Sequence, residues 1–145
     1  YIDHIEKPEW SPLVLPSSWA GIPAHLDAIE GLTLLRAGRY RVVTCTNAPL
    51  AVQDRLAERG GLTFDALVPL EANRVFKPSP VAYLTVCQVC QVDASEVLMV
   101  TANPKLGRRD FGDVEAAREV GMQSVLIRHD GGPKNILELA DALGC

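Results

Sequence analysis

The sequence predicts an α/β domain in which helices cover both faces of a mostly parallel sheet. Three observations carry this. From residue 25 onward, helix-like and strand-like patterns alternate along the chain. The strand-like runs are apolar almost throughout, so both of their faces must be covered. Glycines close the helix patterns at Gly38, Gly60-Gly61 and Gly121, where the chain has to turn back. Strands joined through helices run parallel, with right-handed crossovers.

Taken in order, HLDAIEGLTLLRAG places Leu26, Ile29, Leu32 and Leu35 on one helical face and stops at Gly38. YRVVTCT (40–46) reads as a strand, because β-branched residues dominate it. LAVQDRLAERGG (50–61) is a helix and FDALVPL (64–70) a short strand. SPVAYLTVCQVCQV (79–92) is a helix that is apolar nearly all round and therefore expected to be well buried. EVLMVTA (96–102) is a strongly apolar strand, DVEAAREVG (113–121) a helix, QSVLIRH (123–129) a strand, and KNILELADALG (134–144) a last helix. Residues 1–24 differ. Pro8, Pro12, Pro16 and Pro23 interrupt any period, and Trp10 and Trp19 stand among them. This stretch reads as a connector lying across a surface, with the tryptophans as anchors.

The 145 residues are the size of one domain, and 48% hydrophobic with 22% charged residues specifies a folded core. A net charge of −4 argues against nucleic acid or an anionic membrane as partner. No apolar run approaches the length of a membrane span, and no signal-peptide pattern opens the chain. The cysteines Cys45, Cys87, Cys90 and Cys145 lie mostly inside strand or helix patterns. They read as buried thiols of a reducing compartment, which places the protein in the cytoplasm. CQVC has C-x-x-C spacing, but no second Cys/His pair accompanies it, so a zinc or redox role is the weaker reading. The chain begins at Tyr1, which suggests a fragment or a processed product.

In parallel sheets, ligands bind beyond the carboxyl ends of the strands. The residues at those ends here are Thr46-Asn47, Lys77 in VFKPSPVAY, and Thr101-Ala102-Asn103, followed by a loop to Asp113 in FGDVEAAREVGM. Each also has a local reading. Asn47 could cap a helix with Pro49 in its first turn, Asn103 before Pro104 could be a turn residue, Asp113 could sit in a first helical turn, and Lys77 could be a loop lysine. Together they converge on one end of one sheet.

In combination these stretches resemble the haloacid dehalogenase superfamily, particularly its 2-haloacid dehalogenase-like branch. VVTCTN resembles the second family motif, a strand ending in Ser/Thr. KPSPVAY resembles the third, with Lys77 and then Tyr83; VLMVTAN…FGDVEAAREVGM resembles the fourth. The resemblance covers residues 25–145 and implies a Rossmann-like layered core. It implies that Lys77, Asn103 and Asp113 act in catalysis, Lys77 holding the charge of a catalytic aspartate and the substrate together. Thr46, Asn47, Tyr83 and Thr101 would bind the small anionic substrate or position the reacting groups. Fixed donors and a cation oppose developing negative charge, and a carboxylate nucleophile divides a difficult displacement into two steps.

Two departures from the family pattern stand out. PKLGRRD lengthens the loop before FGDVEAA, so Asp110 competes with Asp113 for the acidic role, and Lys105, Arg108 and Arg109 could reach an anion or simply be solvated. The family's nucleophilic Asp lies on a first strand with a Gly-Thr turn, and Asp3 in YIDHIEKPEW lacks that context. The expectation is therefore a carboxyl-terminal part of a longer enzyme. Residues 1–24 would be the remnant of a cap and 25–145 a partial core whose first central strand is missing, inactive by itself, with either a gap or a re-paired sheet. No cofactor is expected. A magnesium-dependent phosphatase is the alternative, disfavoured because TANP carries no acid. A non-catalytic α/β binding module is the alternative of another class.

Overall fold

A computed structural model describes residues 22–103, 112–128 and 130–145. Most of the Pro/Trp-rich opening, Asp3, and the loop residues Lys105, Arg108, Arg109 and Asp110 lie outside the described residues. The helices are α1 (Leu26–Ala37), α2 (Leu50–Gly60), α3 (Pro80–Cys90), α4 (Asp113–Glu119) and α5 (Ile136–Ala142), and the strands are β1 (Leu98–Thr101) and β2 (Gln123–Leu126).

Local chemistry explains the helix ends. Gly38 closes α1 by donating its N–H to the Leu34 carbonyl at 2.8 Å. Gly61 ends α2 at φ 64, a left-handed conformation that a side chain would resist. Pro80 occupies the first turn of α3, where a missing N–H costs nothing. Asn135 caps α5 by accepting the Glu138 N–H at 2.8 Å. α1 packs on α5, and Gly31 permits the approach. A Cβ there would meet Ile136 Cγ2 at 2.6 Å and the Ile136 carbonyl carbon at 2.8 Å.

β1 and β2 pair in parallel, from Leu98 opposite Gln123 to Thr101 opposite Leu126. The other two expected strands meet at a single parallel bridge, Val43 to Ala66. Side chains interrupt that ladder. The Asp65 carboxylate accepts the Val42 N–H at 2.8 Å, and the Thr44 hydroxyl accepts the Val68 N–H at 3.0 Å. The Val68 carbonyl receives the Gln53 amide at 3.2 Å. These bonds satisfy backbone groups that strand pairing would otherwise use.

Two apolar clusters form the core. One gathers Val68, Leu70, Tyr83, Val86, Met99 and Met122 between α3, α4 and β1; the other gathers Leu32, Leu35 and Ala140 between α1 and α5. Cys87 and Cys90 are buried and unbonded, as small apolar side chains would be. Burial is narrower than the sequence pattern suggests. Leu26 is 98% exposed and Ile29 49%, so half of the expected α1 face is open. Val81, Leu84 and Val89 give α3 an exposed apolar side as well. The segments carrying Thr46 and Thr101 do not pair with each other. Between them lies a cavity of about 740 Å³, lined by Val43 and Cys45 on one side and Leu98 and Val100 on the other.

Candidate active site

The site is built around Asp113. This residue opens α4 and is fully buried. A buried carboxylate must be paired and hydrogen-bonded to remain charged. Three donors meet it. The Tyr83 hydroxyl donates to Oδ1 at 2.5 Å, while Lys77 Nζ and the Thr101 hydroxyl donate to Oδ2, each at 2.9 Å. Each donor comes from a different element: Tyr83 from the inward side of α3, Lys77 from the loop before it, and Thr101 from the end of β1. The Gly112 N–H ahead of α4 is held by the Glu115 carboxylate at 2.9 Å, which sets where the helix starts.

A second arrangement fixes Lys77. The Asn47 side chain pairs with both backbone groups of that residue, accepting the Lys77 N–H at 2.7 Å and donating to the Lys77 carbonyl at 3.1 Å. The Lys77–Pro78 peptide is cis. Thr46 turns its hydroxyl to the Ala48 N–H at 3.2 Å, and Thr101 accepts the Asn103 N–H at 3.1 Å while donating to Asp113. Asn103 itself is exposed. Lys77, Tyr83, Thr101 and Asp113 are thus joined directly, and Asn47 and Asn103 are tied to them through backbone. One of the two Asn47 amide hydrogens is taken by the Lys77 carbonyl. Tyr83 has no exposed surface, and its hydroxyl faces Asp113.

The electrostatics follow from burial. Desolvation, reinforced by the bond to Asp113, holds the Tyr83 phenol well above the usual range, so it stays a donor. Burial pushes the Cys45 thiol up to about 11, against the pull of the Lys77 ammonium and with the Asp113 charge adding to the rise. Cys45 is therefore an inert neutral thiol. Lys77 keeps 12% of its side chain exposed. An ammonium has three donors, and one serves Asp113. The remaining ones can meet an anion arriving from the open side.

Sequence reasoning overlooked Gln53. This side chain, 5% exposed, accepts from the Thr44 hydroxyl at 2.5 Å and donates to the Ala48 carbonyl at 2.8 Å and to Val68. It locks the loop that carries Thr46 and Asn47. The visible signal was a glutamine on the inward side of an otherwise amphipathic helix.

The family profile described as haloacid dehalogenase-like hydrolase matches residues 18–104. An (S)-2-haloacid dehalogenase from Xanthobacter autotrophicus is 42% identical over 90 residues, covering 59% of this chain and 35% of that protein. The crystal structure of a defluorinating L-2-haloacid dehalogenase superposes with a TM-score of 0.75 at 25% identity, over 88% of this chain and 56% of that one. A HAD phosphatase from Thermococcus onnurineus gives a TM-score of 0.68 at 26% identity, over 83% and 58%. The chain therefore spans between about a third and just over half of the length of these relatives. Because the profile covers more than half of its residues and contains the Thr46, Lys77 and Thr101 motifs, the chain belongs to the haloacid dehalogenase-like hydrolase family.

Proposed function

We propose that this chain carries the cation-and-acid part of a 2-haloacid dehalogenase-type hydrolytic site in a cytoplasmic enzyme acting on a small anionic acid. The observation that carries the reading is the buried carboxylate of Asp113 held by Lys77, Tyr83 and Thr101 at the carboxyl end of β1. Lys77 would receive the substrate's carboxylate and the charge of the attacking group. The Asn47 main-chain N–H would add a second donor, with Thr46 shaping that loop. Asn103, exposed beside Thr101, would position water for the second step. Thr101 and Tyr83 would act through Asp113, keeping Lys77 aimed. These fixed donors oppose negative charge as it develops.

The donor set does not suit magnesium. That ion wants several oxygen ligands in near-octahedral geometry, whereas both Asp113 oxygens are engaged by donors, one of them an ammonium. This favours metal-free chemistry over the phosphatase reading. Asp113 is not placed as a nucleophile, because its side chain is 0% exposed and an attacking carboxylate must reach the substrate.

The test is halide release from 2-chloropropionate by the enzyme containing this chain, with and without a chelator, for the native protein and Lys77→Met. The expected result is chelator-resistant release that falls at least ~100-fold in the variant, as when one transition-state donor is removed. Phosphate-ester hydrolysis that needs magnesium, without halide release, would move the assignment to a phosphatase. Binding of the haloacid without turnover would point to a binding module.

A further inference from the structure

Two stretches of the chain meet beside the site, residues 42–48 and 65–77, and side chains do most of the joining. Asn47 grips Lys77 by both backbone groups, at 2.7 and 3.1 Å. A second grip of the same kind sits deeper. The Thr44 hydroxyl accepts the Val68 N–H at 3.0 Å, and Gln53 Nε2 donates to the Val68 carbonyl at 3.2 Å. Val68 is completely buried and Gln53 is 5% exposed, so water has little access to either bond.

The two side chains complete each other. Thr44 gives its one hydroxyl proton to Gln53 Oε1, and Gln53 Nε2 also donates to the Ala48 carbonyl at 2.8 Å. Turned over, the Gln53 amide would set its oxygen against two carbonyls. The grip reaches Lys77 from both sides. Ala48 is the chain neighbour of Asn47. From Val68 the chain runs to Lys77 through a turn held on itself. The Leu70 carbonyl accepts the Asn73 and Val75 N–H groups at 3.1 and 3.3 Å, and the Glu71 carbonyl accepts the Arg74 N–H at 2.9 Å. An exposed bond from the Leu50 N–H to Glu71 at 3.1 Å ties the same turn to α2, where water competes for it.

We infer that Thr44 and Gln53 are positioning residues for Lys77: together they set how residues 65–77 lie along residues 42–48, and so where the ammonium stands against Asp113. The single Val43–Ala66 bridge leaves that alignment open beyond residue 66. The buried bonds at Val68 outweigh the exposed one at Glu71, because an unmet buried group costs more than a bond that water can replace. Among the described residues, neither side chain hydrogen-bonds to the side chain of Lys77 or Asp113; both act through the backbone of Ala48 and Val68. Their effect on turnover rests on the dehalogenase reading; their hold on Lys77 does not.

The test uses the enzyme containing this chain, native and as Thr44→Val and Thr44→Ser, with amide hydrogen exchange read residue by residue well below the melting midpoint. Valine keeps the shape of threonine and removes the hydroxyl, whereas serine keeps the hydroxyl. In Thr44→Val the Lys77 N–H, bonded to Asn47, should exchange at least about tenfold faster. The Glu138 N–H, an exposed bond at the start of α5, should change by less than about twofold. Thr44→Ser should bring the Lys77 amide back to within about threefold of native. Gln53→Met, similar in volume and without the amide, should repeat the Thr44→Val pattern, so whichever of the two folds decides. An unchanged Lys77 amide, or equal acceleration at Lys77 and Glu138, overturns the inference. The second readout is halide release from 2-chloropropionate. Its kcat/KM should fall about tenfold in Thr44→Val, but about twofold or less when the same change is made in Lys77→Met. Equal factors in both backgrounds would reveal a merely structural role and overturn it as well. Absence of halide release by the native enzyme counts against the dehalogenase reading alone, and the exchange rates then decide the positioning by themselves.

Discussion

Replacing Lys77 by Met removes the counter-charge of Asp113 while keeping most of the stem volume. Both partners are shielded, with 12% of the lysine side chain and 0% of the aspartate exposed, so this pair differs from a surface ion pair. A surface pair would be worth about 0–1 kcal/mol. Breaking a buried one by removing a single partner costs about 3–5 kcal/mol, because an uncompensated charge stays behind. Tyr83 and Thr101 still donate to the carboxylate, which favours the lower end, about 3 kcal/mol. A domain of ordinary stability has roughly 5–15 kcal/mol in total, so the loss would be large. Asp113→Asn should cost less, because the partly exposed ammonium can turn to water. The double variant Lys77→Met/Asp113→Asn should recover about 1–3 kcal/mol relative to the sum of the single losses. Urea denaturation at neutral pH, followed by far-ultraviolet circular dichroism, measures all four corners of the cycle. A Lys77→Met loss under about 1 kcal/mol, with additive double-variant behaviour, would refute the claim that Asp113 is a buried charge dependent on Lys77.

Further expectations follow from the same contacts. Tyr83→Phe should cost about 1–3 kcal/mol at neutral pH by leaving Asp113 short of a donor. The phenol's folded value is raised above its unfolded value of about 10, so its contribution is fully present below that pH and is lost as the pH rises through the folded value. Urea midpoints measured on either side of pH 10 should therefore fall less steeply in Tyr83→Phe than in the native chain. Cys45, pushed up to about 11 from 9.0, should be alkylated by iodoacetamide at pH 8 roughly 100-fold more slowly than an unperturbed thiol. Peptide mapping of the labelled chain reads this, and rapid labelling of Cys45 in the folded protein would contradict a half-buried thiol held neutral. Gln53→Ala should destabilise by about 2–3 kcal/mol, since it orphans the Ala48 and Val68 carbonyls together; a loss within the urea-melt error would mean water replaces it. The 145-residue polypeptide assayed by itself should release no halide, because Asp113 is fully buried and cannot reach a substrate.

The helices were legible because their signals are local. α2 ends where Gly60-Gly61 stands, and Pro80 marks the start of α3. β1 and β2 were legible because continuous apolar β-branched runs have few other options. The run 40–46 carries an equally strong pattern, yet it forms one bridge to 64–70. A strand assignment depends on partners that periodicity does not reveal, and here Asp65, Thr44 and Gln53 side chains take the bonds of the ladder. Part of the site's place could be read, since Lys77 and Thr101 both follow strand patterns and meet at Asp113, with Asn47 tied to Lys77. What each side chain touches could not. Asn47 clamps a backbone 30 residues away, and Tyr83 meets Asp113 across another 30. Spacing along the chain carries no record of such pairings. Of the two candidate acids, Asp113 opens α4 and meets Lys77, and Asp110 lies outside the described residues.

The contact between α1 and α5 bears on the order in which the chain can fold. Asp27 accepts the Ile136 N–H at 3.1 Å across 109 residues, and Gly31 is shaped to the backbone of Ile136. Until Ile136 has been made, Leu32 and Leu35 have no cover from that helix. At about 5–20 residues per second, α1 would wait roughly 5–20 s during synthesis before its partner emerged. Its apolar stripe stays exposed through that interval, at the stage when a nascent chain is most open to chaperones and to aggregation. Closing so long a loop also raises contact order, which slows folding. A chain cut short at Asn135 should therefore keep β1, β2 and α3 as its most native-like part while leaving α1 without a place to dock.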